Sequence, residues 1–266
     1  MISFAAQTHL DDCKKLWHLC FHEDYAYIDF FFKNMFAPGR LLVYESAGHA
    51  VSMMFLLDCM LEGKKGKYIY AACTHPAFRK RGLMGELLEY AKRQIVSPDE
   101  IDFLCLVPAT DGLFDYYTKN GFDTFFKICE YAAFACDTAV EKSEEISCEE
   151  FCSLRQRFCT HYPRAVSWGD REMQFIYEET RYTGGSVVRS GDGYAVVRRG
   201  KPDTIAEWIS HETALPACFP AAGNAVMVRR PCPEGAAWEG RDFGMIYTLD
   251  QNLLNIKNAY IGLVLD

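Results

Sequence analysis

The basic loop from Ala77 to Gly82 is the part of this 266-residue chain whose residue types best suit chemistry. It carries three cations, Arg79, Lys80 and Arg81, and Gly82 then opens a segment with apolar residues at helical spacing. The first backbone N–H groups of a helix have no partner within it and lie at the positive end of its dipole. A phosphate placed there would gain hydrogen bonds and charge complementarity together. The loop therefore predicts an anion site, and a solvated corner is the plainer alternative.

Two predicted elements position this loop. The uncharged run from Tyr68 to Cys73 predicts a strand buried on both faces, which Pro76 ends. After Gly82, the apolar spacing predicts an amphipathic helix that reaches Ile95. Its apolar positions are Leu83, Met84, Leu87, Leu88, Ala91 and Ile95. A strand, a basic turn and a helix N-terminus are the parts from which many phosphate sites are built.

The run THPAFRKRGLMGELLEYA, which begins at Thr74, resembles the acetyl-CoA-binding signature of the GCN5-related N-acetyltransferase (GNAT) superfamily. That signature is Arg or Gln, two residues, Gly, one residue, then Gly or Ala. Arg79 and Gly82 fit it, whereas Met84 stands where a small residue is usual and Gly85 follows directly. The resemblance implies that acetyl-CoA is the co-substrate. It would bind at the strand end and the loop, through Ala72, Cys73, Thr74, Arg79, Lys80, Arg81, Gly82, Leu83, Met84 and Gly85.

A second segment, LCLVPATDGLFDYYTKNGF from Leu104 to Phe122, predicts a buried strand and a helix. It resembles the second half of the superfamily's domain, where a Tyr precedes a Gly by four residues. Tyr117 is that residue here. The resemblance implies that Tyr117 is the general acid that protonates the departing coenzyme thiolate, and a half-buried tyrosine on an amphipathic helix is the alternative. Together the two signatures place the resemblance over roughly Ile2 to Ala135.

The resemblance implies an α/β fold for residues 1–136, with a mixed and largely antiparallel sheet. The strands near Tyr70 and Leu104 are expected to run parallel, joined by the helix after Gly82 as a crossover. They are also expected to splay, so that pantetheine fills the gap. The other predicted elements are a strand Ile2–Ala5, a helix Leu10–Cys20 capped by Thr8, a helix Asp24–Met35, and strands Leu41–Ser46 and Val51–Leu61.

Three aromatic residues of the second predicted helix are candidates for the acceptor site. In the superfamily the early helices cover the acceptor end, so Tyr25, Tyr27 and Phe31 could line it. The helix is apolar almost all round, which predicts burial on more than one side. Core packing is therefore the favoured role for each of the three.

The second half of the chain has a different composition. The polar, acidic stretch Asp137–Glu150 suits a linker, and Gly191-Asp192-Gly193 predicts a hairpin turn. Helices are expected at Cys148–His161, Arg171–Thr180 and Ala214–Phe219, followed or flanked by an antiparallel run of strands. The strands are Gly185–Arg189, Tyr194–Arg198, Thr204–Ser210, Ala225–Arg230, Phe243–Leu249 and Tyr260–Leu265.

This order of elements repeats the first half without its basic loop. We therefore interpret residues 137–266 as a degenerate GNAT-like domain, which resembles the tandem arrangement of acetyltransferases of the enhanced-intracellular-survival type. A separate α+β domain of the sterol-carrier type is the alternative. In the tandem acetyltransferases the terminal carboxylate serves as the base, which would assign that role to Asp266. The favoured alternative is that Asp266 only caps the wet end of a last strand.

Composition narrows the class of protein further. The net charge of −8 and the sequence pI near 5.4 argue against nucleic-acid binding and favour a cationic substrate. No apolar run approaches the about 20 residues of a membrane span, and the N-terminus does not resemble a signal peptide. A cytoplasmic protein without membrane contact is expected. The twelve cysteines include no C-x-x-C, so free thiols and no metal site are expected. Cys148, Cys152 and Cys159 share one helix face, and Cys73 is taken as a core residue.

The function predicted from these features is N-acetyl transfer from acetyl-CoA to an amine by direct attack. The acceptor is a small molecule or a peptide, and the sequence is compatible with a homo-oligomer. Two alternatives stay open. One is a non-catalytic acyl-CoA-binding module, and the other is an aminoacyl or peptidoglycan-precursor transferase built from tandem domains of this kind.

Overall fold

The computed structural model describes residues 1–96, 100–134, 144–211, 225–232 and 240–265. They form two compact units. The first comprises Met1–Met60, Lys64–Asp123 and Met245–Leu254, and the second comprises Leu61–Gly63, Thr124–Gly244 and Asn255–Asp266. The division at residues 136 and 137 predicted from sequence follows chain order, whereas the compact first unit also takes in Met245–Leu254.

The described residues confirm the mixed α/β class. The helices are α1 Leu10–Phe21, α2 Tyr25–Met35, α3 Leu83–Gln94, α4 Gly112–Lys119, α5 Cys148–His161, α6 Asp170–Tyr182 and α7 Gln251–Leu254. The strands are β1 Ile2–Phe4, β2 Leu41–Ser46, β3 His49–Leu61, β4 Lys64–Thr74, β5 Phe103–Leu106, β6 Asp123–Phe134, β7 Ser167–Trp168, β8 Ser186–Ser190, β9 Gly193–Arg198, β10 Asp203–Ile209, β11 Ala225–Arg230 and β12 Arg241–Thr248.

The sheet of the first unit follows the order β1-β2-β3-β4-β5, and the end of β12 pairs antiparallel with β5. β1, β2 and β3 pair antiparallel, whereas β4 and β5 run parallel with Gly66 opposite Phe103. A parallel pair needs a crossover connection, and α3 provides it. The predicted parallel pair and its crossover helix are therefore confirmed.

Each face of this sheet has its own core. On one face, the Trp17 ring of α1 packs against Phe31, Phe55 and Tyr70, with ring centroids 4.7 to 6.0 Å apart. On the other face α3 and α4 bury an aliphatic cluster. It includes Leu56, Ile69, Leu87, Leu88, Leu104, Leu106 and Met245. Burial of β4 on both faces explains why its sequence carries no charge between Tyr68 and Cys73.

The predicted Thr8 cap of the first helix is wrong. A short 3₁₀ helix, Gln7–His9, precedes α1, and the backbone N–H of Ala6 donates to Nδ1 of His9 at 2.9 Å. This turn makes the tight local hydrogen bonds that a cap would otherwise supply. α2 begins as its sequence predicts, because the Asp24 side chain accepts from the backbone N–H of Tyr27 at 2.7 Å.

The sheet of the second unit follows the order β6-β11-β10-β9-β8. β8 and β9 pair antiparallel across the predicted turn, where Gly191 has φ +53°, and β9 also pairs antiparallel with β10. β10 and β11 pair in parallel, which corrects the expected antiparallel run. More than a dozen residues separate these two strands in sequence, a length that permits a crossover connection.

A buried ionic cluster lies in this second unit. Arg155 of α5 pairs with Glu207 of β10 at 2.8 Å, and both side chains are almost fully buried. Tyr194 donates a hydrogen bond to the same carboxylate. Nearer the surface, Arg229 and Arg241 both donate to the Glu130 carboxylate, at 2.8 and 2.7 Å.

The strand predicted at Tyr260–Leu265 is wrong. Tyr260 makes only an isolated bridge with Ala165, and Leu263 has φ +57°, which interrupts an extended conformation. The segment is still buried, and side chains donate hydrogen bonds to two of its carbonyl oxygens. Trp168 Nε1 donates to the Gly262 oxygen at 2.9 Å, and Arg198 donates to the Val264 oxygen at 2.9 Å. The apolar composition of this segment therefore correctly predicted that it is buried, but wrongly predicted that it forms a strand.

Three expectations fall on residues outside the described ranges. They are the helix at Ala214–Phe219, the first part of the Asp137–Glu150 linker, and the role of Asp266.

Candidate functional site

β4 contains a bulge close to its end. Ala71 has φ +48°, a left-handed conformation that a strand residue rarely adopts. Before it, Ile69 lies in the α3 cluster while Tyr70 packs on Trp17 of α1. After it, Ala72 also belongs to the α3 cluster, three residues from Ile69 instead of two. One extra residue has therefore shifted the alternation of side chains, as a β-bulge does.

The parallel pairing of β4 with β5 is short. It begins with Gly66 opposite Phe103, its last pair is Tyr68 with Cys105, and β4 continues to Thr74. The backbone of β4 beyond Tyr68 thus extends past its partner strand. Because β5 itself ends at Leu106, the splay of the two strands stays a prediction.

The loop after β4 has a backbone suited to an anion. Lys80 and Gly82 both adopt left-handed conformations, with φ +61° and +82°, and Gly82 is the N-terminal cap of α3. Backbone that changes hand in this way turns successive N–H groups toward a common point. A Cβ built on Gly82 would have no atom within 4 Å, so the space above this residue is open.

The residues after Gly82 explain how the loop tolerates Met84. The Met84 side chain packs against the aliphatic cluster beneath α3, away from the loop. Gly85 has a different role, since a Cβ there would lie 3.3 Å from Oδ1 of Asn120. Gly85 therefore allows α3 to approach the end of α4 closely.

Ser52 fixes the end of β4 and was missed in the sequence analysis. Its buried Oγ donates to the carbonyl oxygen of Cys73 at 3.0 Å and lies 2.7 Å from Oγ1 of Thr74. The His75 N–H donates to the carbonyl oxygen of Val51 at 2.9 Å. A lone polar residue within the apolar run from Val51 to Leu57 was the available signal.

Tyr117 lies on α4 with only 9% of its surface exposed. Its ring packs edge-on against Tyr116 and Phe122, with centroids 5.3 and 5.9 Å away. Burial, with a smaller effect of Tyr116, raises the pKa of Tyr117 to about 12. The phenol is therefore protonated at neutral pH and can serve as a hydrogen-bond donor.

The comparison with protein families identifies the first unit. Residues 2–125 match the family model described as an acetyltransferase (GNAT) domain. Residues 2–125 are therefore a GNAT domain. The matched residues contain the bulged strand, the loop at Gly82 and Tyr117, so the GNAT domain is an acyltransferase domain that carries both predicted signatures.

Solved structures with GNAT folds cover almost the whole chain. A GCN5-related N-acetyltransferase from Anabaena variabilis has a TM-score of 0.68 at 15% identity, covering 94% of this chain and 74% of that one. A putative acetyltransferase from Pyrococcus horikoshii has a TM-score of 0.65 at 13% identity, covering 100% and 94%. Eis1 from Mycobacterium abscessus has a TM-score of 0.64 at 12% identity, covering 94% and 74%. A search of curated proteins gives no match.

Both arginines of the GNAT loop make hydrogen bonds within the loop region. Arg79 Nε donates to the carbonyl oxygen of Thr74 at 3.0 Å. Arg81 donates to the carbonyl oxygen of Ala77 at 3.0 Å, and its guanidinium lies 4.9 Å from the centroid of the Phe78 ring. Both side chains are exposed, so they brace the loop while leaving positive charge at its surface.

The three aromatic candidates for the acceptor site of the GNAT domain differ in exposure. Phe31 is 0% exposed and packs within the aromatic core, and Tyr27 is buried. Tyr25 is 47% exposed and stacks on His18, with ring centroids 4.6 Å apart. Of the three, Tyr25 alone presents substantial surface to a ligand.

A cavity of about 430 Å³ in the GNAT domain was also missed in the sequence analysis. It lies between α1 and the β2–β3 turn and reaches His75 and Phe78 at the base of the loop. A hydrogen-bond contact between Nδ1 of His49 and Oδ2 of Asp12, 3.0 Å apart, lies at its wall. Among the described residues, no helix is long and apolar enough to cross a membrane, and no group of three or more metal-ligating side chains occurs.

Proposed function

We propose that the chain transfers an acetyl group from acetyl-CoA to an amine by direct attack. The observation that carries this proposal is the open, left-handed backbone at Gly82, which starts α3 at the end of the loop that follows β4. The loop and β4 both lie in the unit that holds Tyr117. A pyrophosphate at the loop would receive main-chain N–H groups, and pantetheine would run along β4 beyond Tyr68.

The backbone of Cys73 and Thr74 is proposed to face the thioester. A tetrahedral intermediate needs N–H donors that are held in place before the reaction. Ser52 supplies that rigidity, because its hydroxyl donates a hydrogen bond to the Cys73 carbonyl oxygen at 3.0 Å and contacts the Thr74 hydroxyl. Arg79, which follows Thr74 in the chain, donates a hydrogen bond from Nε to the Thr74 carbonyl oxygen. The end of β4 is thus fixed by two side chains.

Tyr117 is proposed to act on the leaving group. A thiolate with a pKa of about 8.5 is a weaker base than the tyrosinate of a buried tyrosine. The pKa of Tyr117, raised by burial to about 12, therefore keeps the proton on the phenol, which would act as a hydrogen-bond donor to the departing sulfur. Donation of a hydrogen bond to the negative charge that develops on this sulfur lowers the barrier to departure.

The acceptor is proposed to be an amine of a cationic small molecule or peptide. The net charge of −8 supports attraction of a cation, and the exposed Tyr25 ring offers an apolar surface beside the acceptor end. An alkylammonium with a pKa of about 10 must lose a proton before it attacks the thioester. The second unit is proposed to be a GNAT-like partner domain without a coenzyme loop.

An acceptor screen tests this function. The full chain is incubated with acetyl-CoA and a panel of polyamines, aminoglycosides, amino acids and peptides, and the released coenzyme thiol is detected. We expect release that depends on both the protein and a particular class of amine. Protection by acetyl-CoA against thermal unfolding without release on any amine would instead favour a non-catalytic acyl-CoA-binding module.

A further inference from the structure

Two cysteines, Cys20 and Cys73, meet beside the loop of the GNAT domain. Cys20 lies in the last turn of α1 and is half-buried, whereas Cys73 lies near the end of β4 and is buried. Sγ of Cys20 lies 3.5 Å from the carbonyl oxygen of Thr74, the residue that follows Cys73, and at this short range the two thiols influence each other's pKa. The bulge at Ala71 is what turns Cys73 toward α1, since strict alternation would place its side chain with Ile69 on the α3 face.

Arg79 holds Cys20 in a polar, positively charged setting. Its Nη2 donates to Sγ of Cys20 at 3.6 Å, while its Nε donates to the carbonyl oxygen of Thr74 at 3.0 Å. The Cys20 thiol itself lies 3.5 Å from that same Thr74 oxygen. The guanidinium is therefore anchored at two points and places its charge on a partly accessible sulfur.

The two thiols differ in acidity as a result. The interaction with the Cys73 thiol, joined by the hydrogen bond and charge of Arg79, lowers the pKa of Cys20 to about 6 against the opposing effect of burial. Burial raises the pKa of Cys73 well above its ordinary value. At neutral pH the pair therefore contains one thiolate that can attack an oxidant and one thiol beside it.

We propose that Cys20 and Cys73 form a reversible redox site, in which a hydroperoxide oxidises Cys20 and Cys73 then closes a disulfide. The Cys20 thiolate attacks one peroxide oxygen and the O–O bond breaks. Hydroxide departs, and Cys20 becomes a sulfenic acid. The Cys73 sulfur then attacks Sγ of Cys20, the S–O bond breaks, and water leaves. Overall, two thiols lose two electrons and two protons, and one hydrogen peroxide becomes two waters. A dithiol reductant returns the electrons by thiol–disulfide exchange.

Closure of the disulfide changes the loop. It removes the thiolate that Arg79 binds and alters the end of β4 at Cys73, where the coenzyme is proposed to lie. Oxidation should therefore weaken acetyl-CoA binding, on the order of tenfold. This consequence rests on the proposed function, whereas formation of the disulfide does not.

A second pair of cysteines in the same unit provides a matched control. Sγ of Cys59 and Sγ of Cys105 lie 3.8 Å apart, and both residues are buried. Burial raises the pKa of Cys105 well above its ordinary value. This pair therefore also consists of two neighbouring thiols, but both are buried, whereas Cys20 is only half-buried. We expect it to stay reduced where Cys20 and Cys73 react.

The test exposes the reduced full chain to a small excess of hydrogen peroxide, followed by denaturing alkylation and peptide mass mapping. We expect a disulfide between the peptides of Cys20 and Cys73 that dithiothreitol reverses, with Cys59 and Cys105 alkylated throughout. C20S should prevent it, and C59A should not. In C73S, the sulfenic acid on Cys20 should persist and be trapped by dimedone. Oxidation of Cys59 at the rate of Cys20, or absence of the link in the wild type, overturns the proposal.

Coenzyme binding is then measured on the reduced and oxidised wild type and on C20S. Weaker acetyl-CoA binding after oxidation, absent in C20S and restored by dithiothreitol, supports control of the site. Equal binding with the disulfide in place overturns that control. Failure of the reduced protein to bind acetyl-CoA would instead count against the proposed function, because the disulfide is detected independently.

Discussion

Substitution of Gly82 is the sharpest test of the loop. Gly82 has φ +82°, and a side chain in the left-handed region costs roughly 1–2 kcal/mol. A Cβ there would meet no atom within 4 Å, so the effect comes from backbone conformation and not from a clash. In Gly82→Val the loop relaxes out of this conformation, and acetyl-CoA must restore it in order to bind.

The strain predicts a measurable loss of affinity. Since about 1.4 kcal/mol corresponds to tenfold in an equilibrium constant, the Kd for acetyl-CoA should rise about 5- to 30-fold. At a ligand concentration near 100 times Kd, binding stabilises the wild type by about 2.7 kcal/mol, and tenfold weaker binding leaves about 1.4 kcal/mol. With roughly 2–4 °C per kcal/mol, about 3–5 °C of the thermal protection is lost.

Gly112→Ala is the matched control. Gly112 also begins a helix with no atom within 4 Å of a built Cβ, but it lacks a left-handed φ. Thermal unfolding with and without acetyl-CoA, together with calorimetric titration, should show unchanged protection in this variant. Full protection in Gly82→Val would refute the assignment of the pyrophosphate site to this loop.

Three further predictions concern the general acid and the two ionic clusters. Tyr117→Phe keeps the ring and removes the proton, so turnover in the coenzyme-release assay should fall on the order of 100-fold with acetyl-CoA affinity unchanged. Glu207→Gln breaks the buried pair with Arg155 and should lower the free energy of unfolding in urea by about 3–5 kcal/mol. Burial opposes the shift, yet two bound arginines lower the pKa of Glu130. The stabilisation from ionised Glu130 is therefore present above about pH 4.3 and lost as pH falls through the lower folded-state pKa. In Glu130→Gln, the melting temperature should therefore change less with pH over that range.

Each of these has a result that would contradict it. An unchanged rate in Tyr117→Phe would assign the leaving-group role to another residue. Asp29→Asn, at the exposed pair with Lys14 (2.7 Å), should change stability by at most about 1 kcal/mol, so a loss equal to that of Glu207→Gln would contradict the argument from burial. An identical acid profile in Glu130→Gln would remove that carboxylate from the acid response.

The sequence predicted elements whose signals are local. α5 runs from Cys148 to His161 and β2 from Leu41 to Ser46, as their patterns indicate, because periodicity and flanking turn residues specify each of them. Asp24 likewise caps α2 through a contact three residues away. Such features depend on neighbours in the chain, which spacing reveals directly.

What the sequence could not predict depends on distant residues. The contact of Cys20 with Cys73 joins a helix to a strand through a fold that spacing does not encode. The positive φ of Ala71 occurs at a residue type that gives no turn signal. The final segment ending at Leu265 is as apolar as a strand, yet Trp168 and other side chains satisfy its backbone instead of a neighbouring strand.

The bulge at Ala71 has a consequence for how β4 tolerates mutation. Residues of even number, such as Tyr68 and Tyr70, face the aromatic core before it, and Cys73 of odd number takes that face after it. In a scan of charged substitutions along the strand, the loss of stability should therefore alternate from one residue to the next, and this alternation should shift by one residue after Ala71. Because the bulge adds a single residue, deletion of Ala71 would restore plain alternation while leaving Ile69 and Ala72 on the α3 face and Tyr70 and Cys73 on the α1 face. A deletion elsewhere in the strand would instead move every residue on one side of it to the opposite face.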